Sequence, residues 1–341
     1  MKKTILSTLV FSVMMFSCSS DDTNNSANSE LSRSANKEFK LFTTSNNSGK
    51  ASVTDLNETN PITHSFSVAS TDADGAFYFA DSDEFILASR SNNKIELYDG
   101  VSNAIATNAT SLPLTFSSTS DFNNAREIAV FGDRVVVTQD QNAANLNTNK
   151  LLVYQKTASG FTLLNSFTVN FKVWGIHLEG ETLFAVADLT SDLVVFENFF
   201  ANINGAILPT KRVSIEGLVR THGLTYSKRS DTMVLTDVGS AASNSDGGII
   251  IIKGFTDVLS ETINLGTIAV NKQIRIYGSA TMLGNPVDVA YDNFTKKIFV
   301  AERLFGGGKV LTFDLPKSNQ NVAPVSSRNE AGVSSVFLLR E

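Results

Sequence analysis

The sequence predicts an all-β chain, a six-bladed β-propeller of four-stranded antiparallel blades, with seven blades as the alternative. Three observations predict it. Short runs rich in β-branched and aromatic residues, bounded by Asn, Asp, Gly and Ser, recur along the chain, and no stretch keeps a helical period beyond about two turns. The runs repeat as a phrase: a short apolar strand, a turn, a second strand ending in a polar or acidic residue, a loop, then a third strand. The first strands start near 77, 128, 176, 224 and 287, a spacing of about 50 residues that suits one propeller blade per repeat.

Taken in order, the first three strands of each repeat are expected at 77–80, 85–88 and 95–98; 128–130, 134–138 and 151–154; 176–178, 183–187 and 193–196; 224–226, 233–236 and 249–252; and 287–291, 298–301 and 310–313. Fourth strands are less regular, expected at 112–116, 161–167, 209–214 and somewhere within 263–276. The longer interval between 224 and 287 is assigned to the loop at 239–248 and a long final hairpin, although it has room for a degenerate seventh blade. The two ends complete each other. Residues 333–339 look like a first strand with nothing after it, and 39–43, 50–53 and 62–68 supply the missing second, third and fourth strands. A sixth blade built from both termini closes the ring and leaves no free sheet edge.

The best single copy is Asn285-Pro286-Val287-Asp288-Val289-Ala290-Tyr291-Asp292, followed by Lys297-Ile298-Phe299-Val300-Ala301-Glu302, with Ala185-Val186-Ala187-Asp188 and Leu235-Thr236-Asp237 echoing its second half. This phrase resembles the NHL repeat, and the chain from 37 to 341 resembles the NHL, YncE-like and SMP-30/lactonase group of propellers. The resemblance implies architecture far more than activity.

The N-terminus reads as an address. Lys2 and Lys3 precede an apolar run from Ile5 to Phe16, too short to span a bilayer but suited to a secretory signal. It ends in Met15-Phe16-Ser17-Cys18, which resembles a bacterial lipobox, and Ser19-Ser20-Asp21-Asp22 resembles the export signal of Bacteroidetes-type surface lipoproteins. The expected organisation is a signal peptide at 1–17, a lipidated Cys18 with a polar tether through 36, and the propeller at 37–341. The resemblance implies an outer-membrane lipoprotein, anchored through acyl chains on Cys18 and exposed at the cell surface; several chains together make a stable anchor.

Composition limits the chemistry. Lys and Arg number 28 against 34 Asp and Glu, so no basic excess is available for nucleic acid. One Cys excludes a disulfide framework and any cysteine-rich metal centre. Nucleophile-elbow, zincin, phosphate-loop and dinucleotide motifs are absent. Asp231-Thr232-Met233 resembles a Bacteroidetes O-glycosylation motif.

Aligning the first strands puts Arg126, Trp174, His222 and Val287 at one level of the central channel, and Glu127, Gly175, Gly223 and Asp288 at the next. A cation, a large aromatic and an imidazole at one opening suit a flat or anionic ligand. The competing expectation is that Arg126 neutralises Glu127 or Asp288 across the channel while Trp174 plugs it. Lactonase-type relatives hold a divalent metal there with oxygen ligands, which implies Glu127, Asp288, Asn285 and Asn124 as candidates for a cation such as calcium. Lys172 and Arg220, in the rows of Asn124 and Asn285, oppose this. No cofactor is otherwise expected. A non-catalytic binding module for a surface protein or glycan, monomeric and without nucleic acid, is the leading expectation; a metal-dependent lactone or ester hydrolase is the alternative.

Overall fold

The computed structural model describes residues 38–340. The expected signal peptide, Cys18 and tether lie outside the described residues. Within them, six antiparallel sheets form the blades, each with its first strand innermost. Blade 1 comprises Ala73–Phe79, Glu84–Ser89, Lys94–Asp99 and Phe116–Ser117; blade 2, Ala125–Phe131, Arg134–Gln139, Asn149–Thr157 and Gly160–Val169. Blade 3 comprises Val173–Glu179, Thr182–Ala187, Asp192–Phe196 and Lys211–Ile215; blade 4, Thr221–Ser227, Thr232–Asp237, Gly248–Lys253 and Ile274–Tyr277. Blade 5 comprises Pro286–Asp292, Lys297–Glu302, Lys309–Asp314 and Ser326–Asn329. Blade 6 joins Val333–Arg340 as its innermost strand to Phe39–Ser45, Lys50–Asp55 and Thr63–Ser67. There is no seventh blade among the described residues.

The inner strands touch one another in sequence around the ring, from Val333–Arg340 to Ala73–Phe79 and so on to Pro286–Asp292, which returns to Val333–Arg340. Closure is made by the antiparallel pairing of Phe39–Ser45 with Val333–Arg340, running from Phe39 opposite Arg340 to Thr44 opposite Ser335. The core lies between neighbouring sheets. Each strand sends alternate side chains to its two faces, so adjacent blades share a layer such as Phe167, Phe196 and Phe199, all at most 1% exposed. The outer rim is also linked: short parallel pairings join Gly160–Val169 to Gly205–Ala206, and Lys211–Ile215 to Thr267–Ile268.

The long interval after 224 holds something other than a long hairpin. Residues Phe255–Glu261 form a short helix between the third and fourth strands of blade 4, and Val101–Ala106 does the same in blade 1. Both follow a glycine at positive φ, where a turn reverses the chain without a Cβ penalty. An aspartate from the preceding hairpin accepts an N–H from each helix start: Asp231 from Thr256 at 3.0 Å, and Asp83 from Ser102 at 3.0 Å. Thr232 is buried in a second strand at 2% exposure, so its motif is not presented for modification.

Candidate functional site

The channel chemistry is set by a bulge that recurs in the inner strands. Pairing with the second strand slips between Asp74 and Ala76, Ala125 and Ile128, Val173 and Ile176, Thr221 and Leu224, and Pro286 and Asp288. A bulge re-aims the residues it contains; these are Arg126 and Glu127, Trp174 and Gly175, and His222 and Gly223 in blades 2 to 4, and Val287 in blade 5, where Asp288 follows directly and pairs with Ala301. The freed backbone N–H groups are satisfied locally. Glu127 and Gly223 donate theirs to the Thr138 and Thr236 hydroxyls, both at 2.8 Å, while Ile128 and Val289 donate to the carboxylates of Glu127 and Asp288 at 2.8 and 2.7 Å. The strands converge too closely for a side chain at every position: a Cβ on Gly175 would lie 2.3 Å from the His222 carbonyl oxygen.

Arg126, Trp174 and His222 do come together, and they occupy one another. The Arg126 guanidinium lies 4.0 Å above the Trp174 ring, and the His222 ring stacks on the indole at 3.7 Å and 6°. Arg126 pairs with neither Glu127 nor Asp288. Its partners are Asp74 at 3.6 Å and Asp140 at 3.3 Å. These belong to a line of alternating charges across the mouth: Asp72, Arg90, Asp74, Arg126, Asp140, Lys172, Asp188 and Arg220, with successive separations between 2.6 and 3.7 Å. Asp188 is its best-held member. Burial opposes its ionisation, but hydrogen bonds from His222 at 3.1 Å and Arg220 at 2.6 Å outweigh that and hold its carboxyl well below the usual range. Burial pushes His222 down to about 4, so the ring is neutral at pH 7 and its Nε2–H is the donor to Asp188. This mouth is filled by its own stack and ion pairs, although Arg90 Nε, Arg126 Nε and His222 Nδ1 are buried there without a hydrogen-bond partner.

The sequence-derived metal set does not assemble. Asn124 spends its side chain on Arg90 and Asp140, and Asn285 Nδ2 donates weakly to the Ala241 carbonyl at 3.5 Å. Lys172 and Arg220 are taken up by Asp140 and Asp188. Among the described residues, no group of three or more Asp, Glu, His or Cys could hold a metal ion. Glu127 and Asp288, by contrast, do meet in the channel. Burial and the neighbouring Asp288 charge push Glu127 far above the usual carboxylate range; burial raises Asp288 to about 7 despite N–H donors from Val289 and Val336.

Beyond this pair the channel widens at the other end, where the inner strands finish. A cavity of about 480 Å³ is lined by all six inner strands. Glu127 and Asp288 stand at its inner end, Phe77, Leu178, Tyr226 and Phe337 form walls, and Lys228, Arg229, Phe294 and Arg340 mark its rim. His177, in the same wall, is pushed down to about 4 by burial and is neutral. Sequence reasoning looked to the opposite mouth. The signal for this one was the apolar and aromatic half of each inner strand after the bulge. Asp140 and Asp188 were also missed as site residues, although the acid closing each second strand was visible.

No family model matches the chain, and no curated relative does. Solved structures match its fold. A chain of a nidogen–laminin complex superposes with TM-score 0.60 at 12% identity, covering 88% of this chain and 97% of that one. A protein of unknown function from Bacteroides caccae gives 0.56 at 7% identity, covering 89% and 100%. A candidate 6-phosphogluconolactonase from Bacteroides fragilis gives 0.57 at 8% identity, covering 90% and 99%. What these share with the present chain is the propeller.

Proposed function

We propose that this protein is a lipid-anchored cell-envelope propeller that acts as a binding module for a surface protein or glycan. The observation that carries the binding reading is the asymmetry of the channel. One mouth is closed by its own Arg–Trp–His stack and ion pairs, whereas the other opens into a concave cavity with aromatic walls and a charged rim. The anchor rests on the lipobox-like Met15-Phe16-Ser17-Cys18. The test is a pull-down from cross-linked cells against a tether-only control. Recovery of a specific partner supports the module; recovery of none above control overturns it.

A second reading, hydrolysis of an ester or lactone, draws on Glu127 and Asp288 at the cavity floor. Elemental mass spectrometry after dialysis against trace calcium, with a lactone screen, tests it. One divalent ion per chain, lost together with turnover in the E127A/D288A double variant, would favour the hydrolase.

A further inference from the structure

We infer that the cavity at the finishing end of the inner strands binds a small organic cation, its ammonium or guanidinium group on Glu127 and its apolar body against the aromatic walls. This rests on the binding-module reading and names the ligand class for it. Glu127 is 8% exposed and lines the cavity. Its Oε1 accepts from the Ile128 N–H, and its Oε2 has no partner among the described residues. Asp288 stands beside it with both oxygens held by backbone N–H groups, so it adds negative potential without needing the ligand's hydrogen bonds. The cations of the closed mouth do not serve this pair: Arg126 is engaged by Asp74 and Asp140. The raised affinity of both carboxylates for a proton agrees with this: burial opposes their charge, and the backbone N–H donors offset that only in part.

The aromatic part of the wall fits an apolar body. Its volume, about 480 Å³, lies inside the roughly 300–1,000 Å³ usual for small-molecule pockets. Phe77 and Phe337 pack together at 4.5 Å in the wall, and Tyr226 lies across from them on another inner strand. Aromatic faces attract a cation passing over them. Tyr291, also lining the cavity and 8% exposed, has a hydroxyl with no hydrogen-bond partner among the described residues.

The probe pair is hexylammonium and hexan-1-ol, matched in length and differing in charge, titrated calorimetrically into the full-length protein at pH 8.5, where the amine keeps its charge and the carboxylate pair holds fewer protons than at neutral pH. Hexylammonium is expected to bind at least about tenfold more tightly than the alcohol, since one charge-assisted hydrogen bond in a dry site is worth at least that factor. E127Q keeps the acceptor for the Ile128 N–H and the fold, and is expected to remove that advantage. Equal binding of amine and alcohol, unchanged amine binding by E127Q, or binding of neither probe overturns the cation assignment. The cross-linked pull-down is independent of it, so a partner recovered there while hexylammonium fails would leave the binding module standing and the ligand class wrong.

Discussion

Replacing Asp188 by Asn removes one negative charge from the ion-pair line while keeping the side chain's shape and one acceptor oxygen. The Asp188 side chain is fully buried, and three groups lean on it: Arg220 at 2.6 Å, His222 at 3.1 Å and Lys172 at 3.5 Å. A hydrogen bond to a charged group contributes about 1.5–3 kcal/mol. Arg220 and Lys172 are 19% and 28% exposed, so water softens their share, and the neutral His222 loses little to an amide acceptor. The expected cost of D188N is therefore about 3 kcal/mol, the lower end for breaking a buried ion pair. Urea unfolding at pH 7 should show it as a lower midpoint at unchanged slope. In a domain this large the melting temperature should fall by roughly 5 °C. The folded carboxyl is depressed, so its stabilisation is present above the unfolded value near 4 and is lost as pH falls through the folded one. The penalty should be full from pH 5 to 8 and shrink below about pH 4. A D188N protein within about 0.5 kcal/mol of wild type at pH 7 would refute the network argument, as would a penalty that does not change with acid.

Glu127 and Asp288 give the opposite pH signature. Their folded values are raised, so stability grows as pH falls from about 8 towards 5; E127Q should be more stable than wild type at pH 8 and lose that gain towards pH 5, read by urea unfolding at both. G175A should cost about 3 kcal/mol or more in the same assay, because its Cβ meets backbone that cannot move away. Deleting residues 333–341 should leave blade 6 without its inner strand and yield an aggregating, protease-sensitive product, checked by limited proteolysis. C18S should abolish incorporation of labelled palmitate and release the protein from the membrane fraction.

The blade repeat was legible because each strand is an uninterrupted β-branched or aromatic run between turn residues, and the unpaired run at 333–339 announced the closure. Ladder ends were shortened by a few residues where polar positions such as Asp99 and Lys253 continue the pairing. The helix Phe255–Glu261 was hidden because seven residues with two buried side chains carry too little periodicity to separate from a loop. Alignment placed Arg126, Trp174 and His222 on one level, but spacing says nothing of partners. Asp140 and Asp188 come from second strands, and whether a carboxylate at such a position faces the channel depends on the bulge.

The pairing of Phe39 with Arg340 has a geographic consequence. Arg340 lies at the cavity rim, and its guanidinium sits 4.1 Å over the Phe39 ring, so the domain's first and last strands meet beside the open mouth. A fusion partner or surface linkage at either end of the domain starts from that rim, where bulk would compete with a ligand for approach. Because these ends are neighbours, a short linker could join them and new ends could be cut in the loop at 238–247 of blade 4, between that blade's second and third strands. Such a circular permutant would keep every strand pairing, move the seam from blade 6 to blade 4, and carry its tags on a loop that does not line the cavity.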